Sequence, residues 1–322
     1  MATALQMRMM LLVAALFAIV YAMMTMIGTA AGIHSFSFYL IISIVFMWIQ
    51  FMIGPSLVEW SMRIRYIRPE EYPALHHMVE ELAQRAGIPV PRIGIAQVRI
   101  PNAFAFGRGI RDGRVCVTEG ILNLLNEEEL RAVIGHELTH LKNRDVITIT
   151  LLSVIPMIMY RIAWQFIFFG GGRRRSGNAP SGALIGLVAF LAYFVTNLLV
   201  LYASRIREYF ADMGSVALGN RPAALATALY KLVYGSARMD KHAMKDAEGL
   251  KAFFLNDPSR ALTEIRELSQ IDRDQSGTID DDELAAIRNK TVHLSSSDRL
   301  MEALSTHPNM LKRIQHLATL EG

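Results

Sequence analysis

Four long stretches of the chain run almost without charge. Residues 9–27 and 36–58 hold none, residues 146–169 hold only Arg161, and residues 182–203 hold none. Each comes close to the ~20 apolar residues a helix needs to cross a bilayer. The pattern predicts two hairpins of spans, one within residues 1–62 and one within 146–203. Polar regions at 63–145 and 204–322 are left for an aqueous core. The first apolar run exceeds the roughly 7–15 residues of a signal-peptide core, so it reads as a retained anchor.

The polar regions carry shorter periods. Residues 69–86 have a helical pattern with Leu75, Met78, Val79 and Leu82 on one face, stopped by Gly87 and Pro89. Strand-like runs follow at 93–100, 103–107 and 114–117. Asp112-Gly113 is the dipeptide expected at a tight hairpin turn, so these runs predict a small antiparallel sheet. Asn126 then reads as a helix N-cap, with Glu129 closing a capping box and Glu127 to Glu129 suiting the positive end of the helix dipole. That helix is expected over 127–143. Residues 204–322 read helical throughout.

Composition narrows the class. Only 19% of the 322 residues are charged, 52% are hydrophobic and the mean hydropathy is +0.28. Soluble domains carry about 25% charged residues, so an ordinary soluble protein and a disordered one are both excluded. Cys116 is the single cysteine, which excludes a disulfide scaffold. The net charge of +4 is mild, and arginines at span ends account for it, so no nucleic-acid partner is expected. Arg8 precedes the first span, and Arg63, Arg65 and Arg68 follow the second. The loop at 28–35 has no Lys or Arg, which puts both ends of this hairpin in the cytoplasm. A full crossing by 146–169 would then carry Arg173, Arg174 and Arg175 outside, against the same rule. Either the second hairpin crosses despite them, or it tilts without emerging fully, as Arg161 within the span also suggests.

The chemistry starts at His136-Glu137-Leu138-Thr139-His140, an HExxH on the well-capped helix. Residues i and i+4 share a helix face, so both imidazoles can reach one zinc at ~2.0–2.1 Å. Glu137 stands beside the metal, placed to take a proton from a water. A catalytic zinc takes a third protein ligand and keeps one position open. No histidine stands at a short third-ligand spacing, and the better candidate is Glu208, just after the fourth span. Asp212 lies four residues on, on the same face, where it can orient a zinc histidine. The second hairpin is the return path that brings Glu208 back toward His136 and His140.

HExxH, two apolar spans and then Glu208-Tyr209-Phe210-Ala211-Asp212 together resemble the membrane-bound M48 metallopeptidases of the gluzincin type. With four spans the chain is most similar to the HtpX heat-shock proteases. The resemblance covers nearly the whole chain. It implies a mainly α, polytopic membrane protein with a gluzincin-like α+β catalytic domain. It also implies zinc on His136, His140 and Glu208, Glu137 as general base, and a cytoplasmic active site in the cell membrane. Misfolded membrane proteins would be the substrates. Two further motifs fit. Asn102-Ala103-Phe104 resembles the family strand that takes substrate backbone by strand addition. Ser305-Thr306-His307-Pro308 resembles the family's late motif, which implies that His307 stabilises the oxyanion.

Residues 272–283 depart from the family pattern and match a twelve-position EF-hand loop. Asp272, Asp274 and Ser276 fill positions 1, 3 and 5, Gly277 the turn at 6, Thr278 position 7, Asp280 position 9 and Glu283 position 12. With helix-like flanks the insertion spans about 262–290 and predicts a Ca²⁺ site, although such loops usually pair and no second one is visible. Two alternatives to the zinc endopeptidase stand at this point: a prenyl-protein peptidase of the same clan, and a calcium-responsive membrane scaffold with a dead zinc site.

Overall fold

The computed structural model describes residues 36–98, 100–145, 182–237, 271–288 and 296–320, with scattered positions of 147–166 and residues 265 and 268. The span expected at 9–27, Arg161 and the basic loop at 170–181 lie outside the described residues. The chain divides into two compact units: residues 1–53 with 147–206, and residues 54–146 with 207–322.

The first unit holds the larger part of helix α1 (Phe36–Ser61), which covers the second predicted span. A longer helix, Gly182–Ala217, covers the fourth and is long and apolar enough to cross a membrane. Ala189 on that helix packs with Met159 and Ala163, while Leu184, Leu187, Phe190, Leu191, Phe194 and Val195 stay exposed. Apolar side chains left outside a packed seam fit a hydrocarbon surrounding better than water.

The second unit is built on a four-stranded sheet of order β1 (Ile64–Tyr66), β2 (Arg92–Ala96), β4 (Arg114–Thr118), β3 (Ala103–Phe106). The sheet is mixed, not antiparallel as the strand runs predicted. β1 and β3 are antiparallel to their neighbours, but β2 and β4 run parallel, with Ile93 opposite Val115 and Ile95 opposite Val117. The chain leaves β2, passes β4's position to form the edge strand β3, and only then returns as β4. Asp112-Gly113 is not a two-residue hairpin turn either. The β3–β4 connection includes a 3₁₀ turn (Ile110–Asp112), and Gly113 is extended, with φ −68° and ψ 142°. Asp112 bonds the Arg108 backbone and side chain and pairs with Arg114, which shapes the longer loop.

Helix α2 (Pro73–Ala86) starts four residues later than the pattern suggested, with Pro73 in its first turn, and ends at left-handed Gly87. It buries Leu75, Met78, Val79 and Leu82, the face read from the sequence. After a short helix α3 (Glu119–Leu124) comes α4 (Glu127–Lys142), whose Asn126–Glu129 capping box forms as expected. The helix Gly182–Ala217, here α5, is followed by α6 (Pro222–Ala237), α7 (Asp281–Arg288), α8 (Ser296–Ala303) and α9 (Met310–Ala318). The main core joins Val79, Leu82 and Ile134 to Leu225, Leu229 and Ile314. Ile271, Ile279, Leu284 and Ile287 belong to the same core, so the acidic loop and α7 are integral to this unit and not a surface excursion.

Candidate metal centre

α4 places His136 and His140 one turn apart, and the last turns of α5 supply Glu208 and Asp212. Two glycines let these helices close together. A Cβ on Gly135 would lie 2.3 Å from the Asn220 side chain, and one on Gly214 would lie 2.2 Å from Thr139. Ser215 Oγ donates to the Ala132 carbonyl at 2.6 Å across the same seam. The seam thus fixes the offset at which Glu208 meets the two imidazoles.

One donor atom from each of His136, His140 and Glu208 lies within 4.8 Å of the others. The two Nε2 atoms are 3.1 Å apart. Glu208 Oε2 is 3.5 Å from His136 Nε2, and Oε1 is 3.5 Å from His140 Nε2. The outer ring nitrogens face carboxylates: Asp212 Oδ1 is 2.9 Å from His136 Nδ1, and Asp145 Oδ2 is 2.6 Å from His140 Nδ1. A carboxylate accepts, so each Nδ1 carries its proton. The two Nε2 atoms then face each other as lone pairs, which requires a cation. A proton can serve: burial opposes charge on His136, but the Asp212 and Glu208 carboxylates outweigh it and lift the pKa to about 9. A divalent metal serves both rings and the carboxylate at once. Glu208 Oε2 is buried and makes ion contacts but no hydrogen bond. Two imidazoles and one carboxylate suit zinc.

Glu137 is buried next to these donors. Burial raises its pKa, while the neighbouring His140 and His136 pull it back. The backbone of Ala105, on edge strand β3, hydrogen-bonds its carboxylate. The side chains of Asn102, Ala103 and Phe104 are buried, Ala103 and Phe104 in the cores on opposite faces of the sheet, and the Asn102 backbone is locked to Thr118. Any contact with substrate there falls to the strand's backbone. His307 also joins the cluster, with Nδ1 3.3 Å from Glu208 Oε2 and neither ring nitrogen hydrogen-bonded.

The sequence reading missed Arg313, Asp145 and Arg207. Arg313 is fully buried, grips Asp212 through Nε at 3.0 Å and Nη2 at 2.6 Å, and reaches Glu208 Oε2 at 3.3 Å through Nη1. Its place on an apolar, amphipathic α9 was the available signal: an arginine flanked by Met310, Ile314 and Leu317 on the buried face wants a buried acid.

The sequence profile of peptidase family M48 matches residues 69–321. The chain belongs to peptidase family M48. A protease HtpX homolog from Methanothermobacter thermautotrophicus is 49% identical over 229 residues, 71% of this chain and 86% of that one. A protease HtpX homolog from Moorella thermoacetica is 32% identical over 295 residues, 90% of this chain and 86% of that one. The crystal structure of S. mikatae Ste24p superposes on 98% of this chain and 67% of its own, at 16% identity and a TM-score of 0.49, a loose likeness. As an M48 protease, the chain has its HExxH helix and Glu208 inside the matched region.

The second acidic cluster sits in the loop before α7. One oxygen from each of Asp272, Asp274 and Glu283 lies within 4.8 Å of the others. Ser276 and Thr278 bond each other through their hydroxyls, and Asp280 Oδ1 caps the Glu283 N–H at 2.8 Å. Gly277 is left-handed, with φ +79°. Ile279 bonds Thr227 of α6 through both its N–H and its carbonyl, and Tyr230 donates to Asp272 at 2.8 Å.

Proposed function

We propose that this M48 protease is a multi-pass membrane zinc endopeptidase that cleaves misfolded or damaged membrane proteins, with its active site toward the cytoplasm. The observation that carries the reading is the convergence of His136, His140 and Glu208 around lone pairs that need a cation. Zinc bound there supplies Lewis acidity to the scissile carbonyl and makes a nearby water acidic. Glu137 takes the proton of the attacking water on a carboxylate oxygen and returns it to the leaving amine nitrogen. Its raised pKa suits that double duty. Asp212 holds the Nδ1 proton of His136. His307 donates to the charge developing on the carbonyl oxygen. The backbone of edge strand β3, from Ala103 and Phe104 onward, receives the substrate strand, and Asn102 fixes its start against Thr118. The exposed apolar face of α5 supports an anchor in lipid, and the four apolar runs support four spans. The HtpX homologues, matched over most of the chain, favour this reading over a prenyl-protein peptidase.

A second metal reading belongs to the loop at 272–283. The twelve-position match and the gathered oxygens of Asp272, Asp274 and Glu283 support Ca²⁺. Thr227 on α6 bonds Ile279 where a paired hand would supply a partner strand.

Casein cleavage by the detergent-purified protein separates enzyme from scaffold. Cleavage is expected, lost on treatment with a zinc chelator and restored by added zinc. Full metal loading with no cleavage would reject the enzyme.

A further inference from the structure

Each imidazole of the HExxH helix has its own carboxylate, and each carboxylate has its own arginine: Asp212 with Arg313 for His136, and Asp145 with Arg207 for His140. The resemblance assigns the first pair's aspartate and says nothing of the second. We infer that Asp145 is a positioning residue for the metal: it holds the His140 proton on Nδ1 and so turns Nε2 toward the metal, with Arg207 holding the Asp145 carboxylate. The inference rests on the zinc reading of the site.

Three observations carry it. The contact is short and buried. Asp145 is 5% exposed, and its Oδ2 lies 2.6 Å from His140 Nδ1. The backbone is bent to make the contact. Five residues along a continuing helix is about 140° around from His140, away from its ring. Instead α4 ends at Lys142, Asn143 caps it, and Arg144 takes φ +57°. A non-glycine residue in the left-handed region is uncommon and persists where its surroundings impose it. Here the bend brings the Asp145 carboxylate back to the Nδ1 edge of the His140 ring. The third observation is that the opposing charge comes from the chain that brings the third donor. Arg207 directly precedes Glu208, and its Nε lies 3.1 Å from Asp145 Oδ1, at an angle that makes an ion pair and not a hydrogen bond. The two chain segments of the metal site are therefore pinned at two points, Asp212 to His136 and Arg207 to Asp145, one on either side of Glu208. An ion pair alone would satisfy Arg207. It would not account for the turn that aims Asp145 at the imidazole nitrogen.

The test is zinc affinity of the full-length protein in detergent, stripped of metal and titrated against a competing chelator dye. Melting of the stripped proteins checks that each variant folds. Asp145→Ala is expected to bind zinc about 10–100-fold more weakly than the unchanged protein, the usual cost of losing the partner of a metal-bound imidazole. Asp145→Asn keeps an acceptor oxygen for the Nδ1 proton but loses the charge, so its loss should be smaller. In the Co²⁺-substituted proteins the visible absorption bands of Asp145→Asn should differ from those of the unchanged protein, a change that an ion pair remote from the metal would not produce. A folded Asp145→Ala that binds zinc within twofold of the unchanged protein overturns the inference. Should that variant not fold, unchanged affinity and unchanged Co²⁺ bands in Asp145→Asn overturn it instead. His140→Ala is run alongside. Equal zinc binding by His140→Ala and the unchanged protein would reject the zinc reading itself, whereas loss in His140→Ala alone would reject only the role of Asp145.

Discussion

Two clusters in this protein gather side chains of the kind that can hold a metal, and they differ in what already satisfies them. At His136, His140 and Glu208 the donors come from helices far apart in sequence, and Glu208 Oε2 is buried without a hydrogen bond. Arg313 Nη1 and His307 Nδ1 each stand 3.3 Å from it, so it is held by charge and not by a directed hydrogen bond. At Asp272, Asp274 and Glu283 the oxygens accept from their own loop: Ser276 N–H to Asp272 and Asp274, Gly277 N–H to Asp272, and Arg273 N–H to Glu283 at 2.6 Å. Tyr230 adds another donor. The loop can hold its shape through these bonds, whereas the helix-borne cluster leaves two imidazole Nε2 atoms facing each other 3.1 Å apart even with Arg313 against its carboxylates. Gathered carboxylates therefore say less about metal affinity than their unspent lone pairs do.

The largest expected effect lies in the helix-borne cluster. Glu137→Gln should lower cleavage by about 10²–10⁴-fold or more while zinc content stays full, because the side chain moves protons and does not hold the metal. Steady-state cleavage of casein with parallel metal analysis checks this. Next comes Arg313→Met, which strands the buried charge of Asp212. Breaking one side of a buried ion pair costs about 3–5 kcal/mol, so denaturant melts should shift strongly and zinc should weaken with them. A variant as stable as the unchanged protein would mean that Arg313 only fills space.

The clusters should also answer pH in opposite directions. In metal-stripped protein the His136 pKa is raised from 6.5 to about 9. Its contribution to stability is whole below about pH 6.5 and is lost as pH rises through about 9. Asp274 is shifted the other way, held below the usual carboxylate range by the Ser276 backbone N–H, so its contribution is lost as pH falls. Melting temperatures of stripped protein across pH 6–9.5 should fall with rising pH, and added zinc should remove that fall by taking the proton's place. The smallest effect belongs to the loop. Calorimetric titration with calcium should show binding that Glu283→Gln abolishes. No saturable binding below about 1 mM, the weak end for such loops, would leave the loop as a self-satisfied turn.

What was legible in the sequence follows range. The capping box at Asn126 and the shared face of His136 and His140 are local, and they form as read. The buried face of α2 was legible because four apolar positions repeat at helical spacing. Strand direction was not: parallel pairing of β2 with β4 depends on where β3 lodges, and Asp112-Gly113 carries a turn signal that Arg108 and Arg114 redirect. Glu208 could be picked out because a hairpin must bring its ends back together. The acid that Arg313 meets, and the role of Asp145, could not. Arg313 lies 101 residues from Asp212, and Asp145 depends on a left-handed turn at a residue with no glycine to announce it. The close seam at Gly135 and Gly214 is equally silent, since glycine in a helix more often marks an end than a contact.

The ligand set is tested most directly by metal analysis of three proteins equilibrated with zinc and calcium and then washed free of loose ions: the unchanged chain, Glu208→Ala and Glu283→Gln. One zinc per chain is expected in the unchanged protein and in Glu283→Gln, and none in Glu208→Ala. Stoichiometric zinc in folded Glu208→Ala would contradict the ligand set, because the third donor would then lie elsewhere.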